Sequence, residues 1–123
     1  MSRIVRAGLI QTSCDWPVTE YTMPQIKKKM IAKNVALIEK AAKEKVRILS
    51  LQEIFYGPYF CAEQDVRWYD IAEPIPGPTV SLMQKLAKKY AMVIIVPIYE
   101  TPAVGTYYTR AFDGTVTLWG RWD

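Results

Sequence analysis

Two apolar segments bracket one amphipathic helix, and that arrangement restricts the fold more than any other feature of the sequence. Arg3–Gln11 carries Ile4, Val5, Leu9 and Ile10 and reads as a strand. Pro24 suits the first turn of a helix, where its missing N–H costs nothing. From there to about Lys45, Ile26, Met30, Leu37 and Ala41, with Ile31, Val35 and Ile38 beside them, form an apolar stripe at helical spacing. Val46–Gln52 is a second strand. Strand, helix and strand in that order make a βαβ unit, which crosses over right-handed into a parallel sheet. The predicted class is therefore α/β.

The rest of the chain extends this plan. Glu53–Pro78 is long, irregular and rich in Gly, Pro and aromatics, with one short helix expected near Asp65–Ile71. A loop of that length in a compact domain tends to carry function. Thr79–Tyr90 is a second helix, with Leu82, Met83, Leu86 and Tyr90 on its apolar side. Met92–Tyr99 is a third strand whose continuous apolar run predicts burial on both faces. Pro97 lacks a ladder donor and predicts a bulge or a strand end there. Tyr107–Phe112 and Thr115–Trp119 flank Asp113-Gly114, a two-residue hairpin signal.

Several function classes are excluded or disfavoured. The 123 residues include no histidine, so a Ser-His-Asp triad, a Cys-His dyad and a His-bearing zinc site cannot form within them. No metal site and no cofactor are expected. The two cysteines, Cys14 and Cys61, make no CxxC pair, and a reducing, cytoplasmic setting is the expectation. No run approaches the roughly 18 apolar residues of a membrane-spanning helix. Lys27–Arg47 holds eight basic and two acidic residues, without the interleaved aromatics of a nucleic-acid site. It reads as a solvated helix face carrying Lys27, Lys28, Lys29, Lys33, Lys40 and Lys43. Gln52–Ile75 holds five acidic residues against Arg67 alone.

Glu53 is the residue that calls for chemistry. It follows the second strand directly, and in open α/β sheets ligands bind outside the carboxyl ends of the strands. Partial desolvation there would raise its carboxyl pKa toward a general base's range. The competing reading is a loop glutamate that caps a backbone group.

The run LSLQEIFYGPYFCAEQD, followed by RWYDIAEPIPGPT, resembles the nitrilase (carbon–nitrogen hydrolase) superfamily. Within it the similarity is to the β-ureidopropionase-like N-carbamoyl amidohydrolases. VRAGLIQ, the first helix, VPIYE and Tyr107-Tyr108 fall in the family's order. The resemblance implies a four-layer αββα sandwich, of which residues 1–123 would be the amino-terminal portion: a partial carbon–nitrogen hydrolase domain. It implies a Glu-Lys-Cys triad with Glu53 as the glutamate, which takes the thiol proton. It also implies a small-molecule amide or N-carbamoyl substrate, and a homo-oligomer is expected. Phe55, Tyr56 and Tyr59 become candidates for lining the substrate pocket, against loop-to-core packing. The family's lysine and cysteine lie beyond the hairpin region, yet here the last lysine is Lys89 and the last cysteine Cys61. The expectation is a chain that retains the glutamate and is inactive alone. The alternative is a non-catalytic α/β remnant or interaction module.

Overall fold

The computed structural model describes residues 3–59, 64–103, 106–112 and 118–122, and from residue 102 onward by backbone alone. Strands β1 (Ala7–Leu9), β2 (Ile48–Ser50), β3 (Val93–Ala103), β4 (Thr106–Phe112) and β5 (Leu118–Trp122) form one sheet in the order β1-β2-β3-β4-β5. The first three run parallel and the last two add antiparallel neighbours. Helices α1 (Met23–Lys43) and α2 (Pro78–Tyr90) supply the two crossovers.

Local chemistry explains the helix boundaries. Thr22 and Gln25 form a reciprocal capping box at the start of α1, and Pro24 sits in its first turn. Each helix ends through a residue in the left-handed region, Lys45 (φ 60°) after α1 and Ala91 (φ 49°) after α2. Val46 N–H then donates to Ala41 O, and Met92 N–H to Ala87 O. These are Schellman-type bonds, and each is followed by a buried residue, Val46 and Met92, that leads straight into a strand.

Strand register sorts the side chains into two faces. Gly8, Leu49 and Ile94 share one row, and Ala7, Ile48 and Val93 share another of opposite direction. Leu49, Leu51, Ile94, Val96 and Ile98 are buried in one cluster with Ile26, Met30 and Ile38 of α1 and Val80, Met83 and Leu86 of α2. The opposite face carries Leu9 (85% exposed), Ile48 (39%) and Val93 (39%). Burial of β3 on both faces, expected from its apolar run, is found only in part: on the face opposite the helices Val93 is exposed, Ile95 half-buried and Tyr99 buried.

A further expectation is corrected. Pro97 lies inside β3, paired with Ala111, and the register shifts later, between Glu100 and Ala103. Leu51 N–H donates to Ile95 O, and Tyr99 N–H donates to the Tyr56 hydroxyl. The odd-numbered amides thus face the β2 side, and the nitrogen of Pro97 falls just past β2's end, where no strand needs its hydrogen. The hairpin of β4 and β5 is present, with Phe112 paired to Leu118; residues 113–117, which include the Asp113-Gly114 turn signal, lie outside the described residues. The expected short helix is a 3-10 helix, Val66–Ile71. No helix among the described residues is long and apolar enough to cross a membrane.

An apolar sheet face left in water favours association, since burying one leucine is worth roughly 1.5–3 kcal/mol. The chain is expected to self-associate at micromolar concentration. Leu9→Lys with Ile48→Lys should shift it toward monomer in sedimentation, because neither side chain supports the core. Unchanged association in that variant would place the contact elsewhere.

Candidate active site

Glu53 stands three residues beyond Ser50, at the carboxyl end of β2, the middle parallel strand. The sheet's own ladder has ended there, and side chains hold the backbone instead. On the β1 side, Gln52 Oε1 accepts from Thr12 N–H at 2.5 Å. On the β3 side, the Tyr56 hydroxyl accepts from Tyr99 N–H at 2.8 Å and donates to Tyr99 O at 3.2 Å. From α1, Asn34 Nδ2 donates to Phe55 O at 3.2 Å. Gly57 N–H closes a turn onto Ile54 O.

Ile54 has φ 52°. A β-branched residue in the left-handed region costs of order 1–3 kcal/mol and persists only where its surroundings fix it. Here Ile54, Phe55 and Tyr56 are all buried, the latter two completely. Their rings meet edge-to-face at 5.1 Å.

The Glu53 side chain itself is exposed. Partial desolvation, expected from its place under an aromatic loop, is not found. Two of the loop's aromatics, Phe55 and Tyr56, turn down into the core, while Glu53 stays on the surface. Phe55 and Tyr56 have no accessible surface, so core packing is what the structure gives them. Tyr59 is 68% exposed and close to Glu53 in sequence. Cys61 lies outside the described residues. Cys14 is half-buried, with Sγ 3.7 Å from Trp16 O.

Sequence reasoning missed a second polar cluster beside this turn. Lys27 Nζ lies 2.8 Å from Glu73 Oε1 and 3.3 Å from Ile71 O, and 4.9 Å from the centre of the Tyr56 ring. Thr79 Oγ1 donates to the same Glu73 oxygen at 2.9 Å. Glu73 is 5% exposed and pairs with Glu100 of β3 through Glu73 N–H to Tyr99 O and Thr101 N–H to Glu73 O. Lys27 thus does not belong to the solvated face assigned to it. The signal available in the sequence was the opposition of a basic helix to an acidic loop. Lys33 behaves similarly, pairing with Asp15, whose carboxyl it holds below the usual range, with help from the Ser13 hydroxyl.

Among the described residues, no three Cys, Asp or Glu side chains converge as metal ligands. A cleft of about 720 Å³ is lined by Arg3, Ile4, Arg47, Lys88 and Val93, among others. It opens at the amino ends of the parallel strands, opposite Glu53.

A one-sided parallel sheet with a carboxylate just past its middle strand has the ground plan of α/β proteins that work at strand ends. The family described as carbon-nitrogen hydrolase matches residues 7–116, and the chain belongs to it. It is 40% identical over 98 residues to a beta-ureidopropionase of Arabidopsis thaliana, covering 80% of this chain and 24% of that protein. It is 39% identical over 118 residues to an N-carbamoylputrescine amidase of Solanum lycopersicum, covering 93% and 36%. A crystal structure of a carbon-nitrogen hydrolase from Helicobacter pylori G27 superposes with TM-score 0.74 and 25% identity, over 96% of this chain and 38% of that one. A Saccharomyces cerevisiae member of branch 10 of the nitrilase superfamily shares the fold at TM-score 0.58 over 79% of this chain. The chain spans between 24% and 36% of the length of these two curated relatives.

Two outcomes test the site's energetics. Lys27→Met strands a buried carboxylate, and the stability loss should be of the order of 3 kcal/mol. Adding Glu73→Gln should restore most of it, as read by denaturant unfolding. Burial also pushes the Tyr56 phenol well above its ordinary pKa. The unfolded tyrosine then ionises near pH 10 while the folded one stays neutral, so stability is full below pH 10 and falls as pH rises beyond it. Tyr56→Phe should flatten that alkaline loss.

Proposed function

We propose that this chain is the glutamate-bearing portion of a carbon–nitrogen hydrolase acting on non-peptide C–N bonds of N-carbamoyl or linear amide substrates. Glu53 serves as general base. It takes the proton from a cysteine thiol, the thiolate attacks the carbamoyl or amide carbon, and the C–N bond breaks as Glu53 returns that proton to the leaving nitrogen, which departs as ammonia or an amine. A lysine and backbone N–H groups stabilise the oxyanion, and water releases the acyl group. A free thiol of pKa about 8.5 needs such a base to be a competent nucleophile at neutral pH.

The observation that carries this reading is the placement of Glu53 on a clamped turn at the carboxyl end of the middle parallel strand. Family membership and the names of the relatives support it. No lysine follows Lys89 and no cysteine follows Cys61 in these 123 residues, so the polypeptide by itself is read as inactive. The exposure of Glu53 and the open sheet face favour a second reading, a non-catalytic α/β module that pairs with another chain.

Two experiments separate these. The 123-residue protein should release no ammonia from N-carbamoyl-β-alanine. Turnover that disappears in both Glu53→Gln and Cys61→Ser would overturn that and make Cys61 the nucleophile. Residues 7–116 should also replace the matching segment of the Arabidopsis relative with retention of activity. In that chimera Glu53→Gln should lower kcat by roughly 10²–10⁴-fold. A folded, active chimera indifferent to Glu53→Gln would leave the non-catalytic reading.

A further inference from the structure

We propose that Asn34 and Tyr56 are positioning residues that set the direction of the Glu53 carboxylate. The proposal rests on Glu53 being the general base, and it concerns two side chains that touch neither the carboxylate nor any substrate.

Tyr56 comes three residues after Glu53, and its hydroxyl engages both the N–H and the C=O of Tyr99. Both groups face the β2 side of β3, where a continuing strand would meet them, and Tyr99 O also accepts from Glu73 N–H. β2 last pairs with β3 at Ser50–Ile95, so the phenol occupies the place of a strand that has already left the sheet. The ring is fully buried against Phe55, with the Lys27 ammonium 4.9 Å from its centre. The hydroxyl therefore has no alternative partner in water.

Asn34 is the more telling residue. It lies in the middle of α1, has no exposed surface, and sits among the residues of the apolar core. Its Nδ2 donates to Met30 O of its own helix and to Phe55 O. Both neighbours are carbonyl oxygens, so only the amide nitrogen can face them. Its Oδ1 has no hydrogen-bond partner among the described residues. A leucine there would satisfy the helix stripe and avoid burying an unpaired oxygen. What a leucine would lose is the bond to Phe55 O, the only hydrogen bond described between Asn34 and another segment.

Both grips fall on the two residues that follow Ile54, the one residue of this turn in the left-handed region. Gln52 holds the chain on the other side through Thr12 N–H. The backbone is thus fixed before and after Glu53 while its side chain stays exposed. Its aim is set by neighbours rather than by its own contacts.

The test uses hydrogen exchange read by mass spectrometry, which tolerates self-association, on the 123-residue protein and on Tyr56→Phe and Asn34→Leu. Tyr56→Phe removes the hydroxyl from an otherwise unchanged ring, and Asn34→Leu exchanges the amide, with its bonds to Phe55 O and Met30 O, for a somewhat larger apolar side chain. Exchange in peptides spanning 52–58 should rise about ten-fold, the effect of losing one such bond, while α1 and β2 keep their protection. In the chimera the same substitutions should lower kcat by about 10–100-fold with KM within two-fold, as expected of a misaligned base. A uniform rise in exchange along the chain, or none, would overturn the proposal, as would a loosened turn with unchanged kcat. If Glu53→Gln leaves the chimera's kcat unchanged, the Glu53 reading has failed on its own, and exchange at 52–58 still decides whether these residues hold the turn.

Discussion

The Tyr56 hydroxyl takes both backbone groups of Tyr99, and much of the carboxyl end of the sheet depends on that substitution of a side chain for a strand. A parallel ladder normally satisfies its amides by continuing. β2 stops after Ser50 so that the chain can turn and present Glu53, and the amides of β3 beyond Ile95 would otherwise face a buried gap. An unpaired buried backbone group costs about as much as a lost hydrogen bond. One tyrosine, together with Glu73 one step further along β3, closes that gap without a further strand.

Charge then stabilises what the tyrosine begins. Glu73 lies almost fully buried, which is tolerable only because Lys27 reaches it from α1 and Thr79 from the start of α2. One ion pair thereby fastens two helices and a bridging segment to the last described side chains of β3. Such pairs contribute little net stability relative to an apolar substitute, and their removal one partner at a time is expensive. Their effect is on arrangement: α1 must present Lys27 and Asn34 on the same side, one to the bridge and one to the Glu53 turn.

Near the amino ends of the parallel strands, the opposite face of the sheet has no comparable provision among the described residues. Ala7, Leu9, Ile48 and Val93 look away from the helices, and Leu9 is almost bare. The chain covers 38% of a solved relative's length while matching it over 96% of its own. A desolvated environment for Glu53 and a cover for this face are both absent among the described residues, and both lie on sides that the helices do not reach.

The sequence by itself determined the βαβ order, both long helices to within two residues, the parallel pairing, the family and the placement of Glu53 at a strand end. These follow from periodicity, caps and a run of residues specific to the family, all of which are local. Only the tertiary structure decided which face of each apolar strand is covered, because Val93 and Ile94 are equally hydrophobic and differ only in what packs on them. It alone moved Lys27 from solvent to a buried pair, since a lysine at helical spacing looks the same whether or not a glutamate 46 positions later comes to meet it. It also gave Asn34 and Tyr56 their work. A buried amide in an apolar stripe and a phenol in an aromatic loop acquire meaning only once the end of β2 and the edge of β3 lie within hydrogen-bond reach.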